Sequence, residues 1–288
     1  MKRLVSLWIV WCVVCLGVEA QLLYEISGNG LSKSSYLFGT HHWVEAEVAI
    51  EIPGVFRVFN DCDVVVSEFV DETDGNNPED MQRRILTAAQ MDLSLLDLLN
   101  NEEVRLVDSA LNAEMGLSLA DMQYFRPSML TMIYEMSVAE RVNKNEMPID
   151  TYFQVAAAEL GKRVCGLETL DKQLDIMFRS KSLEQQTKQL VETIRNASGT
   201  KNGVNEIDSL YKSEDLEALY EVLVKCENMT EAEKFLLVDE RNRDWMPVIE
   251  KYIKTDACFI AVGALHLPGK EGLINLLQKA GYKVKAVK

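Results

Sequence analysis

Apolar residues along this chain change their spacing twice. Near both ends they run continuously or alternate, as β-strands require, whereas from about residue 79 to 253 they recur every three to four positions, as helices packed on one face require. Leu22 to Ile26, the triplet Gly28-Asn29-Gly30 and Ser34 to Gly39 read as strand, turn and strand, a hairpin. Glu45 to Asn60 sets Val48, Ile52, Val55, Phe56 and Phe59 on roughly helical spacing, with Pro53-Gly54 as a break. Asp63 to Val70 (D-V-V-V-S-E-F-V) is a β-branched run suited to a strand covered on both faces, and a polar loop, Asp71 to Pro78, comes after it.

The helical middle has its own punctuation. Asn100-Asn101-Glu102-Glu103 predicts a helix start, and Gly116 and Pro127 divide the helical stretch beyond it. Met129, Met132, Ile133 and Met136 form a stripe that reads as adaptable core. Asp150 to Leu160 predicts a helix closed by Gly161, and Arg163 to Leu167 returns to strand character before Glu168. Thr169 to Ile253 is helical again, with Leu216, Leu219, Tyr220, Leu223 and Val224 on one face and Asn196 to Gly203 as a flexible interruption. The chain ends with a strand from Ala257, a helix from about Glu271 to Ala280, and an alternating edge strand, Lys283 to Val287, with lysines outward. These elements predict an α/β fold: a central mixed sheet formed from strands near both chain ends, bracketing a largely helical middle.

Composition changes the picture in three ways. The first twenty of the 288 residues carry Lys2 and Arg3, an apolar run from Leu4 to Val18 and the small-residue site Val18-Glu19-Ala20, the form of an export signal. An uncleaved membrane anchor is the alternative, although a spanning helix needs about twenty apolar residues. Removing that segment takes away two of 30 basic and one of 45 acidic residues, leaving 28 against 44 and a net charge of −16, which argues against a nucleic-acid partner. Four cysteines then remain, Cys62, Cys165, Cys226 and Cys258; three sit in or beside strand-like runs, as buried thiols do, and spacing names no disulfide. The expected domain plan is a signal at 1–20 and a single domain at 21–288, with a helical cap insertion at about 79–253.

The chemistry gathers on the three histidines, His41, His42 and His266. Tyr36 to His42 (Y-L-F-G-T-H-H) and Ala257 to Pro268 (A-C-F-I-A-V-G-A-L-H-L-P) each run an apolar strand into a glycine, two residues and a histidine. Imidazoles at strand ends lie where open sheets bind ligands. Successive side chains of a strand face opposite ways, so His42, which matches the echo, is the site candidate and His41 a neighbour or an exposed residue. Glu68 ends a run of buried valines, where a carboxylate needs an ionic partner, a metal or a proton. Two imidazoles and a carboxylate can hold a divalent metal and activate its water; they can equally work without metal, a histidine acting as general base and Glu68 orienting it. The run Asp239 to Asp244 reads as a solvated helical face, with stabilisation of an oxyanion, or a grip on a substrate carboxylate, as the alternative for Arg241.

The two G-x-x-H motifs belong to an ordered set. Together with V-V-V-S-E at Glu68, I-D-T-Y-F at Ile149 to Phe153, G-K-R-V-C-G-L-E-T at Gly161 to Thr169, E-R-N-R-D-W-M at Glu240 to Met246 and the closing G-K-E-G-L-I-N-L-L-Q-K-A-G-Y-K-V, they span nearly all of the chain after residue 20. In this set the chain resembles the TraB/GumN family, related to the TIKI metalloproteases and more distantly to erythromycin-esterase-like and ChaN-like proteins. The resemblance implies that strands from both chain ends lie together, placing His42, Glu68 and His266 around one cleft under a helical cap, as metal-site or catalytic residues. It implies a hydrolase-like site with manganese or cobalt as metal, zinc being a further candidate. Arg241 and Asn242 would line the cleft, and Asp150 and Tyr152 fall in a motif whose role spacing does not give. His41 departs from the family pattern, which carries an aliphatic residue there, and would perturb His42 or add a ligand.

Three functions are expected in order. The first is an exported metal-dependent peptidase in which Glu68 is ligand or general base and Arg241 stabilises the oxyanion. The second is a metal-free esterase or amidase, and the third a non-catalytic protein that binds a peptide or small ligand in the same cleft. No integral membrane segment is expected once the signal is removed.

Overall fold

The computed structural model describes residues 21–41, 44, 46–70, 78–142, 149–226 and 230–287. The export signal, residues 71–77 of the polar loop and His42 lie outside the described residues. Strands β1 (Leu23–Ser27) and β2 (Ser35–Thr40) form the expected antiparallel hairpin. The turn needs left-handed backbone at Gly28, Asn29 and Gly30, which two glycines and an asparagine supply at small cost. Helices α1 (Ala46–Glu51) and α2 (Val55–Asp61) flank the predicted break and lead into β3 (Val64–Phe69).

Then come α3 (Pro78–Ala88), α4 (Asn101–Met115), α5 (Leu119–Met122), α6 (Pro127–Val142) and α7 (Ile149–Glu159), succeeded by β4 (Arg163–Glu168). Asn100 caps α4 as its sequence predicts, accepting from the Glu102 and Glu103 amides while the Glu103 carboxylate reaches back to the Asn100 amide. Helices α8 (Leu170–Arg179), α9 (Leu183–Arg195), α10 (Ala197–Lys212), α11 (Leu216–Cys226), α12 (Glu231–Lys234) and α13 (Glu240–Ile253) precede β5 (Cys258–Gly263), α14 (Leu273–Lys279) and β6 (Lys283–Ala286).

The sheet has six strands in the order β4-β3-β5-β2-β1-β6. Four neighbours, β4, β3, β5 and β2, are parallel, and β1 pairs antiparallel with both β2 and β6. The fold is therefore α/β with a mixed sheet drawn from both ends of the chain and a helical middle. β5, from the end of the sequence, lies between β3 and β2, so the carboxyl ends of β4, β3, β5 and β2 share one edge of the sheet. β6 closes the far edge with Lys283 and Lys285 exposed, which discourages pairing with another chain.

Two apolar cores stabilise this arrangement. One lies on the sheet, where the rings of Phe38, Phe59, Phe153 and Phe259 pack with centroids 4.8–5.8 Å apart. The other fills the space between α3, α4, α6, α8 and α9 with Leu111, Leu130, Phe178 and Leu190. Burying each such side chain is worth about 1.5–3 kcal/mol. Of the methionine stripe, Met129, Met132 and Ile133 join the second core, while Met136 stays exposed.

The expected interruption at Asn196 to Gly203 is corrected: α10 begins at Ala197, and the break is the single residue Asn196 with φ −100° and ψ 36°. Local composition favoured a loop, but Ile207 and Tyr211 of the same helix bury against the sheet, and that packing outweighs the glycines. Cys62, Cys165 and Cys258 are free thiols, and the Cys226 side chain lies outside the described ones. Burial pushes the Cys62 and Cys258 thiols up to about 12, so both remain protonated near neutral pH. Among the described residues no helix is long and apolar enough to cross a membrane.

Candidate functional site

Two of the expected site residues reach the same sheet edge from neighbouring strands. Glu68 is the next-to-last residue of β3, and His266 ends a short 3-10 turn, Ala264–His266, directly after β5. The glycines of the two motifs are explained by close approach rather than by unusual backbone angles. A Cβ on Gly263 would sit 3.2 Å from Glu68 Oε1, and one on Gly39 would sit 3.2 Å from the Ala264 backbone. The Gly263 amide donates to Glu68 Oε1 at 2.8 Å, so the second motif grips the carboxylate with its own backbone.

Arg241 and Asn242 open α13, which continues from a π-helical turn at Phe235–Asp239. The Arg241 guanidinium joins the parts: Nη2 donates to Glu68 Oε2 at 2.6 Å and to Glu168 Oε1 at 2.7 Å, Nε also faces Glu168, and Nη1 donates to the Leu237 carbonyl. Nη1 also lies 3.1 Å from His266 Nε2. Glu168, whose side chain is 2 % exposed, further accepts from the Trp245 indole at 3.1 Å, and Gln173 on α8 donates to Glu68 Oε2 at 3.0 Å. The Trp245 ring packs on His266 with centroids 4.4 Å apart and lies under the Arg241 guanidinium at 4.6 Å. Burial pulls the Arg241 pKa down, but Glu68 and Glu168 outweigh it and hold the guanidinium above its ordinary value.

Asn242 fixes the proton on His266. Its Nδ2 donates to two backbone carbonyls, those of His266 at 3.1 Å and Glu271 at 2.8 Å. Carbonyls only accept, so the amide oxygen must face the imidazole, and His266 Nδ1, 2.7 Å away, must be the donor. In the neutral ring the lone pair then sits on Nε2, the atom turned towards Arg241 and Glu68. The chain has only three histidines, so imidazole ¹⁵N shifts read this directly. At alkaline pH His266 is expected as the Nδ1–H tautomer, and Asn242→Leu is expected to release it towards Nε2–H. A predominant Nε2–H form in the unaltered protein would refute the assignment.

His266 Nε2 and Glu68 Oε1 are 3.9 Å apart. Two ligands each about 2.1 Å from one divalent ion can be separated by up to about 4.2 Å, so the pair has the reach to share one. A partner on the far ring nitrogen, here Asn242, is what metal-ligating histidines carry. The guanidinium at Nε2 counts against this as the side chains stand, since Arg241 would have to turn aside for an ion. Among the described residues no group of three or more His, Cys, Asp and Glu is placed to hold a metal. The expected third member, His42, lies outside them.

The other expected residues divide. Asn242 does not line a cleft: it is fully buried and positions His266. His41, for which exposure was one alternative, is buried, and its carbonyl accepts from the Val44 amide at 3.0 Å. Asp150 accepts from the Thr40 hydroxyl and so braces the end of β2. Tyr152 packs between Phe56 and Phe153, against the apolar core on the sheet. Sequence reasoning missed Glu168, Trp245 and Gln173. Glu168 had a signal equal to that of Glu68, a glutamate closing a strand, because β3 and β4 run in register with Phe69 opposite Glu168. Trp245 stands in the quoted E-R-N-R-D-W-M motif with no role assigned to it, and nothing at Gln173 marked it out from ordinary helix residues.

Comparison with family models gives a match to the TraB/PrgY/gumN family over residues 22–286. No curated protein and no solved structure matches the chain.

Proposed function

The chain belongs to the TraB/PrgY/gumN family, and on that premise we propose that it is an exported hydrolase of peptide or related carbonyl substrates, with its centre at Glu68, His266 and Arg241. The observation that carries this reading is the 2.7 Å contact of His266 Nδ1 with the Asn242 amide oxygen, which assigns the ring proton to Nδ1 and turns the Nε2 lone pair towards a buried carboxylate and guanidinium at the carboxyl edge of a parallel sheet. A divalent metal, when bound, would be held by His266, Glu68 and His42 and would supply an activated water. Glu68 is kept rigid by the Gly263 amide, Gln173 and Arg241, so its charge is in place before substrate arrives. Arg241, once its Nη1 leaves His266, is a donor for the oxyanion of a tetrahedral intermediate.

A specific contact favours a second reading without metal. The guanidinium 3.1 Å from Nε2 already holds positive charge where an ion would sit; once Nη1 turns to the substrate, the freed Nε2 lone pair takes a proton from water or a substrate hydroxyl. One experiment separates the readings: the protein lacking residues 1–20 is stripped by chelator, divided, reconstituted with Mn, Co or Zn, and assayed on a peptide and ester panel. Turnover that needs added metal and is lost in the His42→Ala, His266→Ala double variant supports the first reading. Full turnover in chelator supports the second. Binding without turnover under every condition overturns both and leaves a ligand-binding protein. The export signal is tested by detecting processing after residue 20 and release across the membrane.

A further inference from the structure

The segment Gly161 to Thr169 (G-K-R-V-C-G-L-E-T) carries β4 into α8, and neither proposed reaction uses it. Its parts converge on one side chain. A Cβ on Gly166 would lie 3.0 Å from the Val70 amide nitrogen, so a glycine there lets the end of β4 close on the end of β3. Thr169 caps α8 by accepting from the Lys172 amide at 3.3 Å. Glu168 is thereby held between a strand paired to β3 and a helix that starts at once, and its carboxylate turns to Arg241 rather than to solvent, with 2 % of the side chain exposed.

That carboxylate takes one edge of the guanidinium. Oε1 accepts from Arg241 Nη2 at 2.7 Å and from Nε at 3.1 Å, while Oε2 accepts from Nε at 3.3 Å and from the Trp245 indole at 3.1 Å. The three guanidinium nitrogens are corners of a rigid plane. Holding the Nε–Nη2 edge therefore leaves Nη1, the opposite corner, little freedom but a tilt about that edge. Nη1 is the arm that donates to the Leu237 carbonyl and lies 3.1 Å from His266 Nε2. Glu68, by contrast, meets the guanidinium at Nη2 through a bond of 2.6 Å, a point contact that by itself permits rotation.

We propose that Glu168 is a positioning residue for Arg241: by fixing the Nε–Nη2 edge it aims Nη1 at the place where a substrate oxygen meets His266. Paired charge-assisted bonds along one edge supply the direction as well as the attraction. Glu168 is too deeply buried to touch substrate and acts through the guanidinium. This role rests on the hydrolytic reading, in which Nη1 is the oxyanion donor, whereas the geometry that Glu168 imposes is measurable without turnover.

The test uses the protein lacking residues 1–20 at alkaline pH, where imidazole is neutral, and reads the ¹⁵N shift of His266 Nε2, assigned by its loss in His266→Gln. Glu168→Gln removes the charge; Glu168→Asp keeps it and shortens the arm by one methylene. In both, the Nε2 signal is expected to move towards that of an acceptor nitrogen with no donor. In both, kcat on a substrate of the peptide and ester panel is expected to fall about 10–100-fold with KM nearly unchanged, the pattern of a contact that counts in the transition state. An Nε2 signal unmoved in Glu168→Asp overturns the proposal even if Glu168→Gln fails to fold, and so does an unchanged kcat in a variant whose signal has moved. Absence of turnover in the unaltered protein refutes the hydrolytic reading instead, and the Nε2 signal then decides alone whether Glu168 aims the guanidinium.

Discussion

Replacing Arg241 with methionine is expected to lower the free energy of unfolding by about 3–5 kcal/mol, the usual loss when one member of a buried ionic cluster is removed. The size comes from the groups left behind. Glu168 and Glu68, 2 % and 12 % exposed at the side chain, would face each other across an apolar gap with no cation between them. Arg241→Lys should recover little, since one ammonium cannot span two carboxylates, the Leu237 carbonyl and the imidazole at once. Urea unfolding at neutral pH is the measurement. A loss under about 1 kcal/mol for the methionine variant would show that water screens the cluster, as at an exposed pair.

On the proposed hydrolytic function, His266→Gln is expected to reduce kcat/KM by about 10²–10⁴, the range for removing a general acid or base, with a thermal midpoint close to that of the unaltered protein. Asn242→Leu, which frees the ring without removing it, is expected to cost about 10–100-fold, as loss of an outer partner does. The ordering is the informative part. An Asn242→Leu protein as inactive as His266→Gln would mean that the tautomer lock matters as much as the lone pair it creates, and unchanged activity in both would remove His266 from the reaction.

The two chain ends were legible because their signals are strong and local. A turn of glycine, asparagine and glycine, a run of three valines and a strand closing on G-x-x-H each predict an element from a handful of neighbours, and the structure has all of them. Glu68 and His266 were expected together through the family resemblance, and the amide of Gly263 in the second motif, 195 residues on from Glu68, donates to that carboxylate at 2.8 Å. What escaped was set by tertiary packing. Asn196 to Gly203 has loop composition, yet Tyr211 further along donates its hydroxyl to the Gly39 carbonyl at 2.7 Å and draws the whole segment into a helix. Arg241 was expected in the cleft as the group that stabilises an oxyanion; that it clamps two carboxylates depends on Glu168, whose partner across the sheet no periodicity reveals.

Placing β5 between β2 and β3 has a bearing on how the molecule is made. A ribosome delivers β2 and β3 long before the strand that joins them, so for most of synthesis each waits with a bare flank, unable to complete the sheet. Sheets assembled from such remote segments form slowly and offer open flanks to aggregation. Completion of the sheet is therefore deferred until the last strands of the chain emerge.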